Sequence, residues 1–171
     1  NFITGTYGTP YPTEVLMAQT WNTDLLYDLG LAMGQEYADV NNYGVYGPAM
    51  NTHRSAFAGR NFEYYSEDGV LAGKLAAAQV NAMATKGTYN YIKHFALNDQ
   101  ETNRCAFLLT YSNEQAIREI YLKPFELCIK NFDGTQIAVM SSFNWIGTVP
   151  ACANEDTLTT ILRNEWGFQG M

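Results

Sequence analysis

The sequence predicts an α/β fold in which mostly parallel strands alternate with helices. Three short apolar runs, each followed by a polar loop, are separated by longer segments of helical periodicity within 171 residues. This alternation indicates a parallel sheet, because each helix returns the chain to the edge where the next strand begins. Three such units cannot close an eight-stranded barrel, so the sequence predicts either a small open sheet or an incomplete part of a (β/α)8 TIM-like barrel.

Four segments have helical periodicity, and capping residues mark their ends. Asn22 offers a cap within the first segment, Gly87 closes the second, and Asn154 caps the last. The third opens at Ser112-Asn113-Glu114-Gln115, which resembles a capping box, and we expect Pro124 to kink it. The predicted helical segments are residues 13–38, 69–86, 112–130 and 154–166.

The three predicted strands differ in the residues they carry and in the loops after them. A polar loop over residues 47–68 comes after the first strand, and a loop of this length is more often functional than not. The second strand contains Lys93 and His94, and a buried Lys is costly unless another group pairs with it. A polar loop over residues 142–153 comes after the third. The predicted strands are residues 45–48, 91–95 and 136–141.

The composition favours a folded domain that acts on a neutral small molecule. Hydrophobic residues make up 47% of the chain, and no apolar run approaches the ~20 residues of a membrane span. The formal net charge of −7 argues against nucleic acids and anionic membranes as partners, whereas the 14% of aromatic residues suit the faces of sugar rings. Three widely spaced cysteines give no disulfide framework and no zinc pattern, and they do not identify a compartment. We predict no metal and no cofactor.

Polar residues at the carboxyl ends of the predicted strands are the candidates for a functional site. Arg60 comes after the first strand, Lys93, His94 and Arg104 lie in or after the second, and residues 140–144 lie at the end of the third. Parallel strands bring these ends to one rim, where active sites of barrels lie. Such a rim offers hydrogen-bond donors that suit hydroxyl groups or orient a carboxylate. By itself it does not contain the pair of catalytic residues that hydrolysis requires.

Some of these residues also have purely structural interpretations. Arg60 is equally well explained by a surface ion pair with Glu63 or Asp68. His94 is equally well explained as a hydrogen-bonded histidine of the core. Lys93 is harder to explain in this way, because a central strand buries its side chains, and this favours a functional role.

Two further possibilities concern Arg104 and Lys93. Arg104 can pair with Asp99 or Glu101 and thereby only shape its loop. Asp99 and Glu101 lie two residues apart in one loop, so they do not flank a substrate as the two carboxylates of a glycosidase do. Lys93 can in principle form a Schiff base, as in a class I aldolase.

Five segments, in chain order, resemble signatures of glycoside hydrolase family 3 and together extend over almost the whole chain. The loop sequence after Lys93-His94 lacks the Pro-Gly-His-Gly-Asp run of the N-acetylglucosaminidase branch, which favours the β-glucosidase branch. The five segments are residues 59–68 (GRNFEYYSED), 93–104 (KHFALNDQETNR), 118–126 (REIYLKPFE), 139–144 (VMSSFN) and 164–170 (NEWGFQG).

The resemblance implies that residues 1–171 are a single partial domain, the middle of the N-terminal barrel of a β-glucosidase-like enzyme. Such enzymes hydrolyse terminal non-reducing β-D-glucosyl or related residues with retention, through a covalent glycosyl-enzyme intermediate. It also implies that Arg104 orients the nucleophile and that the other site residues bind or line the sugar. The implied substrate-binding residues are Arg60, Lys93, His94, Arg104, Met140 and Phe143.

The resemblance places neither catalytic carboxylate within this chain. The nucleophilic Asp is expected just after Met171, and the acid/base belongs to a second domain of the same enzyme, so we expect this chain alone to be inactive. Its partners would be a carbohydrate substrate and the remainder of that enzyme. Phe143 stands where the family usually has Tyr, and Trp145 replaces a commonly polar residue. A degenerate relative that binds sugar without catalysis is therefore an alternative.

Overall fold

A computed structural model describes residues 8–134 and 136–171 and confirms the predicted α/β fold. Strands β1, β2 and β4 form a parallel sheet in the order β1-β2-β4, and the described strands do not close into a barrel. Each of these three strands begins close to its predicted start. The strands are β1 (Gly44–Val45), β2 (Tyr89–Phe95), β3 (Leu109–Thr110), β4 (Ile137–Ser141), β5 (Trp145–Ile146) and β6 (Val149–Pro150).

The first predicted helical segment is interrupted around Trp21. The backbone φ angle of Trp21, 53°, lies outside the right-handed helical region, so a helix cannot continue through this residue. Asn22 then caps the next helix, because its Oδ1 accepts hydrogen bonds from the amides of Asp24 at 3.0 Å and Leu25 at 3.1 Å. The helices are α1 (Glu14–Ala18), α2 (Thr23–Asp39), α3 (Gly69–Ala84), α4 (Glu114–Ala116), α5 (Lys123–Lys130) and the π-helical α6 (Asp156–Glu165).

The third predicted segment is also divided. A π-helical turn, Ile117–Tyr121, separates α4 from α5. Pro124 lies in the first turn of α5, where its missing N–H costs nothing, so the proline starts a new helix as well as ending the previous one. The cap is Asn113, whose Oδ1 accepts a hydrogen bond from the Ala116 amide at 2.8 Å.

Two of the three strands of a second small sheet lie within the region that the sequence predicts to be a polar loop. Strands β3, β5 and β6 pair in that order, so residues 142–153 are not a loop throughout. Asn144 attaches this sheet to the end of β2, because its Nδ2 donates to the Ala96 carbonyl at 3.1 Å and to Thr110 Oγ1 at 3.1 Å. Each strand is two residues long, and such pairing leaves no periodic pattern in the sequence.

The last residues return to the edge of β4. Asn154 caps α6 by accepting a hydrogen bond from the Thr157 amide at 2.9 Å. Gly167, with a φ angle of 72°, ends the helical segment. The Val139 amide then donates a hydrogen bond to the Met171 carbonyl at 2.8 Å, so the chain lies beside β4 at this point.

The core is built around α3, which packs against α2, α5 and β2. No helix within residues 8–134 or 136–171 is long and apolar enough to cross a membrane. Glycines let the helices approach closely: a Cβ at Gly30 would lie 2.6 Å from the Gln79 carbonyl oxygen, and one at Gly73 would lie 2.7 Å from the Leu127 Cβ. Fully buried side chains of this core include Leu26, Leu75, Val80, Ile92, Phe95 and Phe125.

We expect Gly30→Ala to destabilise the protein. Alanine favours a helix by up to ~1 kcal/mol over glycine, whereas overpacking a rigid contact costs about 1–3 kcal/mol. Overpacking should win here, because the obstructing atoms belong to the Gln79 backbone and the Ala82 Cβ. Denaturant unfolding should show a clearly lower midpoint for Gly30→Ala and only a small decrease, of about 0.5 kcal/mol in helix propensity, for Ala32→Ser, an exposed site on the same helix. An unchanged or higher midpoint for Gly30→Ala would contradict this packing.

Candidate functional site

The candidate site begins at an irregularity in the pairing of β2 with β4. The register shifts by one residue, so that Lys93 and His94 together lie opposite Met140 alone. A bulge of this kind bends the strand and redirects side chains, and bulges are common next to active sites. The shift occurs towards the carboxyl ends of both strands, where the sequence predicts the functional rim.

Lys93 and Arg60 are joined by one carboxylate, that of Glu63. The Lys93 Nζ lies 2.6 Å from Glu63 Oε1, and Arg60 approaches Oε2 with its Nε at 2.6 Å and its Nη2 at 2.5 Å. Burial opposes ionisation of Glu63, but the hydrogen bonds and charges of the two cations outweigh it and hold its pKa below the usual value. The predicted ion-pair partner of Arg60 is thus Glu63 rather than Asp68.

A second carboxylate, Glu101, extends this arrangement to Arg104. The Arg104 Nε lies 3.0 Å from Glu101 Oε2, and Arg60 Nη1 lies 3.6 Å from Oε1. Gly59 makes the approach possible, since it has a φ angle of 97° and a Cβ there would lie 3.1 Å from Glu101 Cβ. Three cations and two carboxylates therefore alternate along the rim.

His94 is held by both its backbone and its ring. Asn51 makes two hydrogen bonds to its backbone, donating from Nδ2 to the carbonyl at 2.9 Å and accepting from the amide at 2.7 Å. The ring Nδ1 lies 3.3 Å from the Tyr64 hydroxyl, which also lies 3.3 Å from the Asn98 carbonyl. The core interpretation and the functional interpretation of His94 are thus compatible, because a buried ring is held at the rim.

The His94 ring is neutral at physiological pH. Burial, followed by the positive charges of Arg60 and Lys93, lowers its pKa from 6.5 to about 3. A neutral imidazole has one donor nitrogen and one acceptor nitrogen, so it can exchange hydrogen bonds with a hydroxyl group in either direction.

Met140 and Phe143 occupy the neighbouring part of the rim. Met140 is half-buried opposite the bulge. Phe143 is 62% exposed, and the guanidinium carbon of Arg104 lies 5.1 Å from the centre of its ring. Trp145 contacts Phe107, with ring centres 5.5 Å apart. The structure thus brings Phe143 to Arg104 but places Trp145 against another aromatic ring.

Glu14 is a member of this region that the sequence did not indicate. Both of its carboxylate oxygens accept from the Ala49 amide, at 3.2 and 3.3 Å, and Ala49 bridges to Lys93. Burial raises the pKa of Glu14 well above its usual value, against the effect of the Ala49 hydrogen bond, and the charge of Glu63 adds to the increase. No local signal could have revealed it, because Glu14 lies in α1 and its partner lies 35 residues later.

A cavity of about 430 Å³ borders the ion pairs on one side. Glu14 and Glu63 contribute to its wall, but Lys93, His94 and Arg104 do not. The cavity and the cationic rim are therefore adjacent features that share Glu63. Within residues 8–134 and 136–171, no group of three or more His, Cys, Asp or Glu side chains is arranged to hold a metal ion.

Comparison with known proteins decides the family. The model of the glycosyl hydrolase family 3 N-terminal domain matches residues 3–171. This chain belongs to glycoside hydrolase family 3. Among its family 3 relatives, beta-glucosidase A of Butyrivibrio fibrisolvens is 44% identical over 167 residues, which are 98% of this chain and 20% of that protein.

Solved family 3 structures support the same assignment and show which domain contains the parallel sheet. β-Glucosidase 3B from Thermotoga neapolitana, in complex with glucose, is 42% identical with a TM-score of 0.90, and the match covers 98% of this chain and 24% of that one. DesR, a β-glucosidase from Streptomyces venezuelae in complex with D-glucose, is 34% identical with a TM-score of 0.91, over 97% and 21% of the two chains. The parallel sheet is thus part of the family's N-terminal barrel, and the chain spans about a fifth to a quarter of the length of these relatives.

Asp99 lies apart from the alternating charges. Thr52 Oγ1 donates a hydrogen bond to Asp99 Oδ1 at 3.0 Å, and Arg104, a cation of the same loop, pairs with Glu101 instead. Burial raises the pKa of Asp99 from 3.8 to about 6, although the Thr52 hydrogen bonds and the charge of Arg54 oppose the increase.

We expect this carboxyl group to make stability fall as the pH rises from about 4 to 6. In that window folded Asp99 retains a proton that the unfolded chain has released, so its contribution is complete below pH ~4 and is lost above pH ~6. A pKa change from 3.8 to about 6 corresponds to roughly 3 kcal/mol. Denaturant unfolding across this range should show a shallower pH dependence for Asp99→Asn. Asp28→Asn, an exposed site, should keep the wild-type slope, and identical slopes for wild type and Asp99→Asn would contradict the prediction.

Proposed function

We propose that the protein is a retaining β-glycosidase of the β-glucosidase type, which hydrolyses terminal non-reducing β-D-glucosyl or related residues. The observation that carries this proposal is the convergence of Arg60, Lys93 and Arg104 at the carboxyl ends of the parallel strands of a family 3 chain. The names of the two glucose-bound relatives support glucose as the first sugar to test.

The hydrogen-bonding capacity of the rim fits the hydroxyl groups of a sugar. Lys93 has three N–H donors and gives one to Glu63, which leaves two for a ligand. Arg60 directs Nε and Nη2 to the same carboxylate, whereas its Nη1 lies at the longer distance of 3.6 Å from Glu101. His94 adds one neutral ring nitrogen, Nε2, which donates or accepts according to the tautomer, because Nδ1 faces the Tyr64 hydroxyl. We therefore assign Arg60, Lys93 and His94 to the hydroxyls of the sugar being cleaved.

The hydrogen bond between Met171 and β4 supports the expectation of a nucleophile just after this residue. In a pair of parallel strands, a residue whose amide donates to the carbonyl of residue j on the neighbouring strand lies opposite residue j + 1 of that strand. Since the Val139 amide donates to Met171, a strand that continues in this register places the fourth residue beyond Met171 level with Ser142. The family resemblance implies that the Asp is among the residues just after Met171, which this register brings towards Ser142. Ser142 is adjacent to Phe143, over which the Arg104 guanidinium lies, and this adjacency supports our assignment of Arg104 to the orientation of that carboxylate.

The proposed reaction proceeds by two displacements at the anomeric carbon. The Asp carboxylate forms a bond to this carbon while the acid/base of the second domain protonates the departing glycosidic oxygen. Water then attacks the same carbon, the acid/base removes its proton, and the carboxylate leaves. Met140 and Phe143 would line the sugar site beside this centre. Within this proposal, residues 1–171 supply binding and orientation, and both reacting carboxylates lie elsewhere in the enzyme.

Two alternatives to a glycosidase are a Schiff-base aldolase and a non-catalytic sugar-binding relative. A Schiff-base aldolase is disfavoured, because the Lys93 nitrogen that would attack a carbonyl is engaged by the Glu63 carboxylate at 2.6 Å. A degenerate relative that binds sugar without catalysis is favoured by Phe143 alone, since this residue has no hydroxyl group to offer a nucleophile. Activity of the full-length enzyme separates this alternative from the main proposal.

We expect Lys93→Met in the full-length enzyme to lower kcat/KM roughly 10- to 100-fold on aryl β-glucosides, because a hydrogen bond to a charged group is worth about 1.5–3 kcal/mol. Initial rates on aryl β-glucosides, β-xylosides and β-galactosides measure this effect and rank the sugars. The Glu63 carboxylate keeps Arg60 as a partner in this variant, which preserves the fold.

Lys74→Met provides the control, because Lys74 is exposed on α3. This variant should keep the wild-type kcat/KM. An unchanged kcat/KM in Lys93→Met would remove Lys93 from the sugar site. A folded wild-type enzyme that turns over none of the three sugars would instead support the degenerate sugar-binding relative.

A further inference from the structure

Glu63 divides its two carboxylate oxygens between cations from different parts of the fold. Oε1 faces Lys93 at 2.6 Å, and Oε2 faces the Nε and Nη2 atoms of Arg60 at 2.6 and 2.5 Å. Glu63 and Arg60 belong to the loop between β1 and α3, where Asn61–Glu63 forms a 3-10 turn, whereas Lys93 belongs to the bulge of β2. The carboxylate therefore fixes the separation of two groups that the backbone alone does not connect.

We propose that Glu63 is a positioning residue that presents Lys93 and Arg60 to the sugar as a fixed pair of donors and acts on the substrate only through them. The inference rests on the proposed glycosidase function, and it concerns a residue outside the six that are assigned to the substrate. Because both oxygens of Glu63 are engaged, its carboxylate is directed to the cations rather than to a ligand.

Three physical effects give Glu63 this role. Lysine and arginine have long side chains with high conformational entropy, and an ion pair that fixes them before binding lowers the entropic cost of binding. The negative charge also offsets the repulsion between two cations that hydrogen-bond to the same group. Glu101 is poorly placed to substitute for Glu63, because its contact with Arg60 is 3.6 Å long and its short contact is with Arg104.

A double-mutant cycle in the full-length enzyme tests the proposal. We expect Glu63→Gln to lower kcat/KM about 10- to 100-fold, mainly through a higher KM, since donors to the sugar are lost in the ground state as well as in the transition state. In the Lys93→Met background the effect of Glu63→Gln on kcat/KM should be at least about fivefold smaller, because the effects of two residues that act through one another are not additive. Glucose binding, measured by titration calorimetry, should show the same pattern of coupling.

Two further variants protect the test against loss of folding. Glu63→Asp keeps the charge but is one methylene shorter, so it should reach one cation and give an intermediate effect. Glu67→Gln, an exposed site four residues later, should leave kcat, KM and glucose affinity unchanged. Circular dichroism and thermal unfolding identify any variant that has lost its fold, and Glu63→Asp then replaces Glu63→Gln in the cycle.

The outcomes distinguish this proposal from the proposed function. Turnover by the wild type with fully multiplicative effects of Glu63→Gln and Lys93→Met would overturn the positioning role and leave the glycosidase function intact. A wild type that binds glucose without turnover would refute the glycosidase function, and coupling in glucose affinity would still support the role of Glu63. A folded wild type that neither binds glucose nor turns over any glycoside would overturn both.

Discussion

The position of Lys93 is the constraint on which the arrangement of the rim depends. Its side chain is 14% exposed and projects from the central strand, where an unpaired ammonium group would be strongly unfavourable. The Glu63 carboxylate offsets this cost, and the loop after β1 must therefore fold back to β2. Arg60 shares that carboxylate, and Glu101 in turn pairs Arg60 with a third cation, Arg104. One largely buried charge is thus connected, through a chain of ion pairs, to the loops after β1 and β2.

The backbone around the rim is fixed by equally specific contacts. Asn51 binds both the amide and the carbonyl of His94, and Glu14 accepts from the Ala49 amide beside Lys93. Gly59 adopts a φ angle of 97° where any side chain would crowd Glu101. These contacts join α1, the loop after β1 and the end of β2. The donors of the rim are therefore held in place before any ligand arrives, which is the physical meaning of a preorganised site.

The parts of the structure that could be predicted from the sequence have local causes. The strand around Lys93 is a short apolar run, and Asn22 and Asn154 cap helices through atoms two or three residues away. The small sheet and the bulge could not be predicted, because they depend on pairing between distant segments. Glu14 is the clearest case: its partner is a backbone amide that no sequence pattern identifies. The family motifs named the six site residues, and the geometry brings three of their cations together, whereas their contacts with a sugar stay a prediction.

The bulge in β2 also limits how the length of this segment can change during evolution. Successive side chains of a regular strand point to opposite faces, so two residues three apart would normally lie on different faces. The extra residue of the bulge lets both Ile92 and Phe95 face the core. Deleting Lys93 or His94 would restore regular pairing and leave Phe95 opposite Ser141, but the rim would lose one of the two residues that the bulge holds there. Substitutions here alter the chemistry of the rim, whereas a deletion removes one of its positions. We therefore expect the spacing between the last core residue before the bulge and the first one after it to be constant among homologues, even where the residues between them differ.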